Sequence, residues 1–147
     1  MELASSSNET LIRDTFPDGW QVPEFQVNFW EGKTHSHCVI IPVINEGERI
    51  RHFLERMRAA KIDEIADIII VDGGTTDGSL DQEFLLNQHV RGLLTKVGPG
   101  KLSAQLRVAY AFALANRYEG IITIDGNNKD DPAERSEEHT SETPVTQ

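Results

Sequence analysis

With one cysteine, Cys38, among 147 residues, the chain can close no internal disulfide, so its cohesion has to come from an apolar core. Cys38 opens an apolar run and reads as a small buried residue, for which a reducing interior is the natural setting. No stretch approaches the about 18 consecutive apolar residues of a membrane span. Met1 is followed by Glu2 and a Ser/Asn patch rather than by a basic and then an apolar segment, so the sequence shows neither an export signal nor a transmembrane segment. Positive charge is also scarce. The 14 Lys and Arg face 24 Asp and Glu, a formal charge of −10, which argues against a general phosphate-backbone binder and leaves nucleic acid out of the expected partners. With 38% hydrophobic and 26% charged residues the composition is that of a soluble globular chain, and the length fits one domain or part of one.

What the chain does have is a repeated ending. Ile68-Ile69-Ile70-Val71-Asp72-Gly73 and Ile121-Ile122-Thr123-Ile124-Asp125-Gly126 are both β-branched runs that stop at aspartate and glycine. Such a run, buried on both faces, reads as a parallel strand, and the Asp-Gly after it puts a carboxylate at the strand's carboxyl end, where α/β sheets bind ligands.

The spacing predicts strands over Val39–Val43, Asp67–Val71, Val90–Val97 and Ile121–Ile124. Helices are predicted over Glu46–Ala60, where Ile50, Phe53, Leu54 and Met57 fall at i, i+3, i+4 and i+7, through Leu80, Phe84 and Leu85, and over Lys101–Tyr118. Strand and helix alternate, which predicts an α/β fold with a parallel sheet covered by helices on both faces. Residues 1–37 carry scattered aromatics (Phe16, Trp20, Phe25, Phe29, Trp30) and read as an extension laying an apolar strip on the domain behind it, with brief alternation at Phe25-Val27-Phe29. The domain proper spans 38–134. Residues 135–147 have almost no apolar content and no period, and resemble the conceptual translation of a sequencing-library adapter. The expectation is that they are a non-native tail and that the sheet is truncated after its fourth strand; finding these codons in genomic DNA would refute it. Setting the tail aside changes the formal charge from −10 to −8, and the chain is still acidic.

Several residues at the expected strand ends could carry chemistry. After the first strand, Pro42 frees a backbone edge, Asn45 reads as the N-cap of the next helix with Glu46 and Glu48 in its first turn, and Glu46 can equally reach a ligand over the strand end. Asp72 either caps or contacts a nucleotide base or ribose, Gly73-Gly74 permits a sharp turn or close approach, and Asp77 reads as a helix cap. In Asp125-Gly126-Asn127-Asn128-Lys129-Asp130-Asp131-Pro132, oxygen-bearing side chains at i and i+2 suit a hard divalent cation carried by a diphosphate, although a solvated turn has the same composition. His35 and His37 read as polar surface, as do His52 and His89 on helices.

Gly98-Pro99-Gly100-Lys101-Leu102-Ser103 fails as a Walker A loop, because Thr95 and Leu102 stand where glycine and a hydroxyl residue are needed. It survives as an alternative dinucleotide fingerprint lacking its third glycine, with Asp125 as the ribose acid, or as a plain turn. Lys101 at a helix start opposes the macrodipole, which points to an anionic ligand.

Taken in order, Val39-Ile40-Ile41-Pro42-Val43-Ile44-Asn45-Glu46, then Ile69-Ile70-Val71-Asp72-Gly73-Gly74-Thr75-Thr76-Asp77-Gly78, then Gly100-Lys101, then Ile124-Asp125-Gly126-Asn127 resemble the family 2 glycosyltransferases with the GT-A fold, nearest to the dolichyl-phosphate mannose synthase-like members. The resemblance covers about Cys38 to Glu134. It implies a Rossmann-like fold and transfer of a sugar from a nucleotide-diphosphate donor, UDP- or GDP-linked, to a lipid-phosphate or glycan acceptor. Carried over by position, Pro42, Ile44, Glu46 and Asp72 would hold the nucleotide, with Lys101 near its phosphates, and Asp125 with Asn127 would face Mg²⁺ or Mn²⁺ and the diphosphate. The implied setting is cytoplasmic, with peripheral membrane association of the full-length protein as a further expectation. The chain departs from the family pattern at Ile44 (usually aromatic), Gly73 and Asn127 (usually Asp) and Lys129 (often Gln), which suggests that Lys129 and Asp130 compensate at the diphosphate. No catalytic base falls within these residues, so the chain alone is expected to be inactive. A dinucleotide-binding domain of NAD type and a non-catalytic nucleotide-binding module are the rival readings.

Overall fold

In the computed structural model, which describes residues 16–124, both β-branched runs join one five-stranded sheet, Ile68–Val71 in its central strand and Ile121–Thr123 in the strand at one end of the order. The strands are β1 (Phe25–Trp30), β2 (His37–Val43), β3 (Asp67–Asp72), β4 (Gly92–Lys96) and β5 (Gly120–Thr123), in the spatial order β1-β4-β3-β2-β5. The four strands read from the sequence are mutually parallel: β2 pairs with β3 and β5, and β3 with β4. The helices are α1 (Glu48–Ala59), α2 (Gln82–Asn87) and α3 (Leu102–Ala115).

Strand alternation divides the core in two. Cys38, Ile40, Ile69, Val71 and Leu94 point toward α3, where Val108 and Phe112 meet them. Val39, Ile41, Val43, Ile68 and Ile70 point to the other face, against Ile50, Phe53, Leu54 and Met57 of α1 and Leu85 of α2. Burial on both faces is why these runs are apolar at every position rather than at alternate ones. Burial pushes the Cys38 thiol up to about 12, so it is an inert core group.

The aromatic segment before residue 37 departs from expectation. Phe25–Trp30 does not lie over a face as a strip; it adds β1 antiparallel to β4 at the sheet's edge. A bulge between Val27 and Phe29 leaves Phe25 and Val27 on the α3 face and turns Phe29 to the α1 face and Trp30 back to α3, where it meets Phe112 edge-on at 4.9 Å. Period-2 alternation puts all three of Phe25, Val27 and Phe29 on one face, and the extra residue at the bulge defeats that count.

Helix ends also differ. α1 begins at Glu48, not Glu46, and α3 stops at Ala115, not Tyr118. His89 lies past α2, not on it. Each helix is followed by a non-glycine residue in the left-handed region: Lys61 (φ 62), His89 (φ 64) and Arg117 (φ 66). Val90 N–H then bonds Leu85 O and Tyr118 N–H bonds Ala113 O, the closing bonds of Schellman turns.

At the amino ends of the strands, the buried Asp67 ties the β1–β2 connection to the sheet. It accepts from Thr34 N–H (2.8 Å) and Thr34 Oγ1 (2.5 Å), pairs with His35 Nδ1 (2.8 Å), and accepts from Tyr118 Oη (2.5 Å). Burial pushes its carboxyl up, but the bonds from the Thr34 hydroxyl, Tyr118, His35 and the Thr34 amide outweigh it and hold it below the ordinary value of 3.8. Burial first, and the Asp67 bond next, push the Tyr118 phenol upward. His35, expected on the polar surface, is a member of this network.

Candidate functional site

The chain winds from β2 to β3 to β4 in one direction and then crosses back to place β5 on the other side of β2, so the topological switch point lies between β2 and β5, at their carboxyl ends. Two described loops meet on that rim, residues 44–47 after β2 and 73–79 after β3, and beside them Ile124 N–H bonds Ile40 O at 3.0 Å.

Pro42 turns the same backbone edge toward β5 as Ile40 does, two residues beyond it and past the last described pair, Ile40 with Thr123. Its missing N–H therefore interrupts none of the described β2–β5 pairs, and its carbonyl faces the switch point. Ile44 is half exposed on the rim, at 50%. Glu46 is partly buried, with its carboxylate 3.6 Å from Arg49 Nη2.

The loops after β2 and β3 are sewn together. Asn45, in the left-handed region at φ 47, does not cap α1 as expected. Its N–H donates to Thr75 Oγ1 (3.0 Å) and its Oδ1 accepts from Thr76 N–H (2.8 Å). Gly47, at φ 60, is the residue before α1 and has no side-chain cap to offer. Asp77 does not cap the following helix either; Asp81 does, accepting from Phe84 N–H at 3.0 Å. Asp77 instead accepts from Gly47 N–H (3.1 Å) and Ser79 N–H (2.9 Å), bridging the two loops.

Asp72 ends β3 with 7% of its surface exposed. Its Oδ1 accepts from Gly74 N–H (3.1 Å), Thr75 N–H (2.8 Å) and Thr75 Oγ1 (2.6 Å). Among the described residues its Oδ2 has no partner, so the loop orients the carboxylate through one oxygen and presents the other. Such an acceptor suits the N–H of a nucleobase or a ribose hydroxyl.

Behind this rim stands a residue that the sequence pattern does not single out. Gln105, in the first turn of α3 and 5% exposed, donates from Nε2 to Val43 O and to Val71 O, each at 3.0 Å, across the ends of β2 and β3. The one signal for it is a polar side chain inside the otherwise apolar buried set Ala104, Val108, Ala109 and Phe112. A β-carbon on Gly73 would stand 3.1 Å from Gln105 Cδ, which accounts for glycine there. Lys101, exposed, occupies the N-cap position of α3 on the same side of the sheet, and its carbonyl accepts from Gln105 N–H at 3.0 Å.

The glycine pair before Lys101 has structural work. Gly98 N–H donates to Glu24 O (2.9 Å), and a β-carbon there would lie 3.0 Å from Glu24 N, so Gly98 serves the approach to β1 and withholds its N–H from a phosphate. Gly100 sits at φ +108, with Ala104 Cβ 2.5 Å from where its β-carbon would be. The dinucleotide reading loses one of its two glycines in this way.

Asp125 and Asn127, expected at the metal and diphosphate, lie outside the described residues, as do Lys129 and Asp130. Asp125 follows Ile124 directly in sequence. Among the described residues no group of three or more His, Cys, Asp or Glu side chains is arranged to hold a metal ion, and no helix is long and apolar enough to cross a membrane.

Comparison with known proteins bears on the same segments. No curated protein sequence matches the chain. A solved structure of a candidate nucleotide-diphospho-sugar transferase from Desulfovibrio desulfuricans G20 superposes with a TM-score of 0.51 at 18% identity, over 71% of this chain and 52% of that one. The chain thus spans about half the length of that structure, and the likeness shows the fold, a Rossmann-like GT-A sheet with helices on both faces. Glucosyl-3-phosphoglycerate synthase from Mycobacterium tuberculosis, solved with Mn²⁺, uridine diphosphate and glucosyl-3-phosphoglycerate, aligns at 22% identity and a TM-score of 0.45, over 65% of this chain and 34% of that one. Residues 38–104, which carry β2, β3, β4 and the start of α3 and with them Pro42, Ile44, Glu46, Asp72 and Lys101, match the model of the family described as Glycosyl transferase family 2.

Proposed function

We propose that this chain is the donor-binding part of a glycosyltransferase that moves a sugar from a nucleoside-diphosphate donor to an acceptor. The observation that carries the reading is Asp72: a strand-end carboxylate beside the switch point, held through Oδ1 by its own loop, with Oδ2 left to accept from a ligand. The family match over residues 38–104 supports the same assignment. In it, Pro42, Ile44, Glu46 and Asp72 form the nucleoside pocket, and Lys101 supplies positive charge toward the diphosphate from the start of α3.

A divalent cation, Mg²⁺ or Mn²⁺, would neutralise charge building on the departing diphosphate when bound, and Asp125 with Asn127 are the residues assigned to hold it. The chain's own residues orient the donor: the Asn45–Thr76 and Gly47–Asp77 bonds hold the two loops before any ligand arrives, so less ordering is left to binding. The acceptor is assigned as a polyprenyl phosphate or a glycan, with the dolichyl-phosphate mannose synthases as the nearest pattern. The domain assigned this role runs from residue 38 to 134, with β1 paired to β4 in the same sheet.

Titration of the 147-residue chain with UDP, GDP and NADH, with and without Mn²⁺, tests the reading. Metal-enhanced binding of UDP or GDP is expected. Binding of NADH alone would favour the dinucleotide reading, and metal-indifferent nucleotide binding a non-catalytic module.

A further inference from the structure

We infer that Gln105 is a positioning residue for the donor site, setting the distance between the β2–β3 rim and the start of α3; the inference rests on the donor-site reading above. Its amide nitrogen bonds two carbonyls on neighbouring strands, Val43 O and Val71 O, at the last stretch of backbone before the loops that carry Glu46 and follow Asp72. One nitrogen facing two acceptors must be the NH₂ end of the amide, so chemistry settles the orientation of the side chain.

Val43 O already accepts Gly73 N–H at 2.8 Å, which closes the β2–β3 ladder on its own. The Gln105 bond to it is therefore additional to sheet formation. What that bond joins is α3 to the rim. Gln105 N–H also bonds Lys101 O, so one residue links Lys101, Val43 and Val71. Gly73 is the matching feature on the rim, since a side chain there would push the amide away. Asp72 and Lys101 approach opposite ends of a nucleoside diphosphate in the proposed site, and the Gln105 clamp sets the span between them. A ligand that must touch both is sensitive to that span, whereas a ligand touching only Asp72 is not.

The test compares binding of UDP, GDP and the nucleosides uridine and guanosine to the wild-type chain, Gln105→Met and Gln105→Glu, with melting temperature recorded for each. Gln105→Met keeps length and helix preference but removes the donor. It should weaken the preferred nucleoside diphosphate about tenfold and leave its nucleoside nearly unchanged. Gln105→Glu should bind the diphosphate better toward pH 5.5 than at pH 8, because only the protonated carboxyl can donate to a carbonyl, while Gln105→Met shows no such pH difference relative to wild type. A purely packing role moves melting temperature and both ligands together, and that result overturns the inference. If wild type binds no nucleoside diphosphate, the donor-site reading and this inference both fall; if wild type binds and the variants bind equally, only the inference falls. Should both variants fail to fold, the side-chain NH₂ resonances of Gln105 in the wild-type chain decide. They must shift on adding the diphosphate and stay in place with the nucleoside, and equal behaviour with both ligands overturns it.

Discussion

Gly73 and Gln105 fit one another: the side-chain amide of Gln105 lies where a β-carbon on Gly73 would come within 3.1 Å of its Cδ, and from that position it reaches the carbonyls of Val43 and Val71. A β-carbon at residue 73 would crowd the amide that joins the helix to the two strand ends, which would have to give by a few tenths of an ångström.

Gly73→Ala should therefore destabilise the chain by about 1–2 kcal/mol through the crowded amide. Combined with Gln105→Ala, the second substitution should cost less than it does alone. A double-mutant cycle by urea denaturation measures this, and additive effects would show that the two residues do not compete for the same space.

Asp67 makes the stability depend on pH at the acid end. Its folded-state carboxyl lies below its unfolded value, so its contribution is fully present above about pH 4 and is lost as pH falls through the folded value. Thermal melts between pH 7 and pH 3 should show this loss in the wild type and a flatter profile in Asp67→Asn. Asp67→Ala should cost about 3 kcal/mol at pH 7, since it leaves the donors of Thr34, His35 and Tyr118 facing an empty buried site. An unchanged melting temperature in Asp67→Ala would remove Asp67 as the tie between the β1–β2 connection and the sheet.

Arg117 follows α3 at φ 66, a conformation that glycine adopts without steric cost. Arg117→Gly should stabilise the chain by about 0.5–1 kcal/mol. Lys61→Gly, after α1 at φ 62, should do the same, and chemical denaturation of either variant checks the sign.

Asp77 joins the two rim loops through Gly47 N–H. Asp77→Ala should leave the melting temperature nearly unchanged, because the core does not depend on it, and should weaken nucleotide binding by loosening the loop that carries Glu46. Asp77→Asn keeps an acceptor oxygen and should bind closer to wild type. Equal affinity of wild type and Asp77→Ala would show that this bridge does not prepare the site.

The parallel core was legible because burial on both faces writes itself as apolar runs, most fully in β2 and β3, and β5 was legible from its β-branched Ile121-Ile122-Thr123. α1 was legible from Ile50, Phe53, Leu54 and Met57, all of which are buried. The ends of the helices were not, since Lys61, His89 and Arg117 take the left-handed turn without the glycine that usually marks it. β1 was half legible: the alternation was visible, but its bulge and its antiparallel edge position depend on β4, far along the chain. At the rim, Asp72 was recognisable from its strand-end position. The roles of Asn45, Asp77 and Gln105 were not, because each bonds a segment about 30 or more residues distant, and local capping rules describe only near neighbours.

The most direct measurement is calorimetric titration of the wild-type chain and Asp72→Asn with UDP and GDP in the presence of Mn²⁺. Asp72→Asn retains an oxygen for its loop but loses the anionic second oxygen assigned to the ligand. Saturable binding of one nucleoside diphosphate to the wild type is expected, with binding about tenfold or more weaker in Asp72→Asn at an unchanged melting temperature. Binding of equal strength in both chains, or none in either, would contradict the assignment of Asp72 to the donor site.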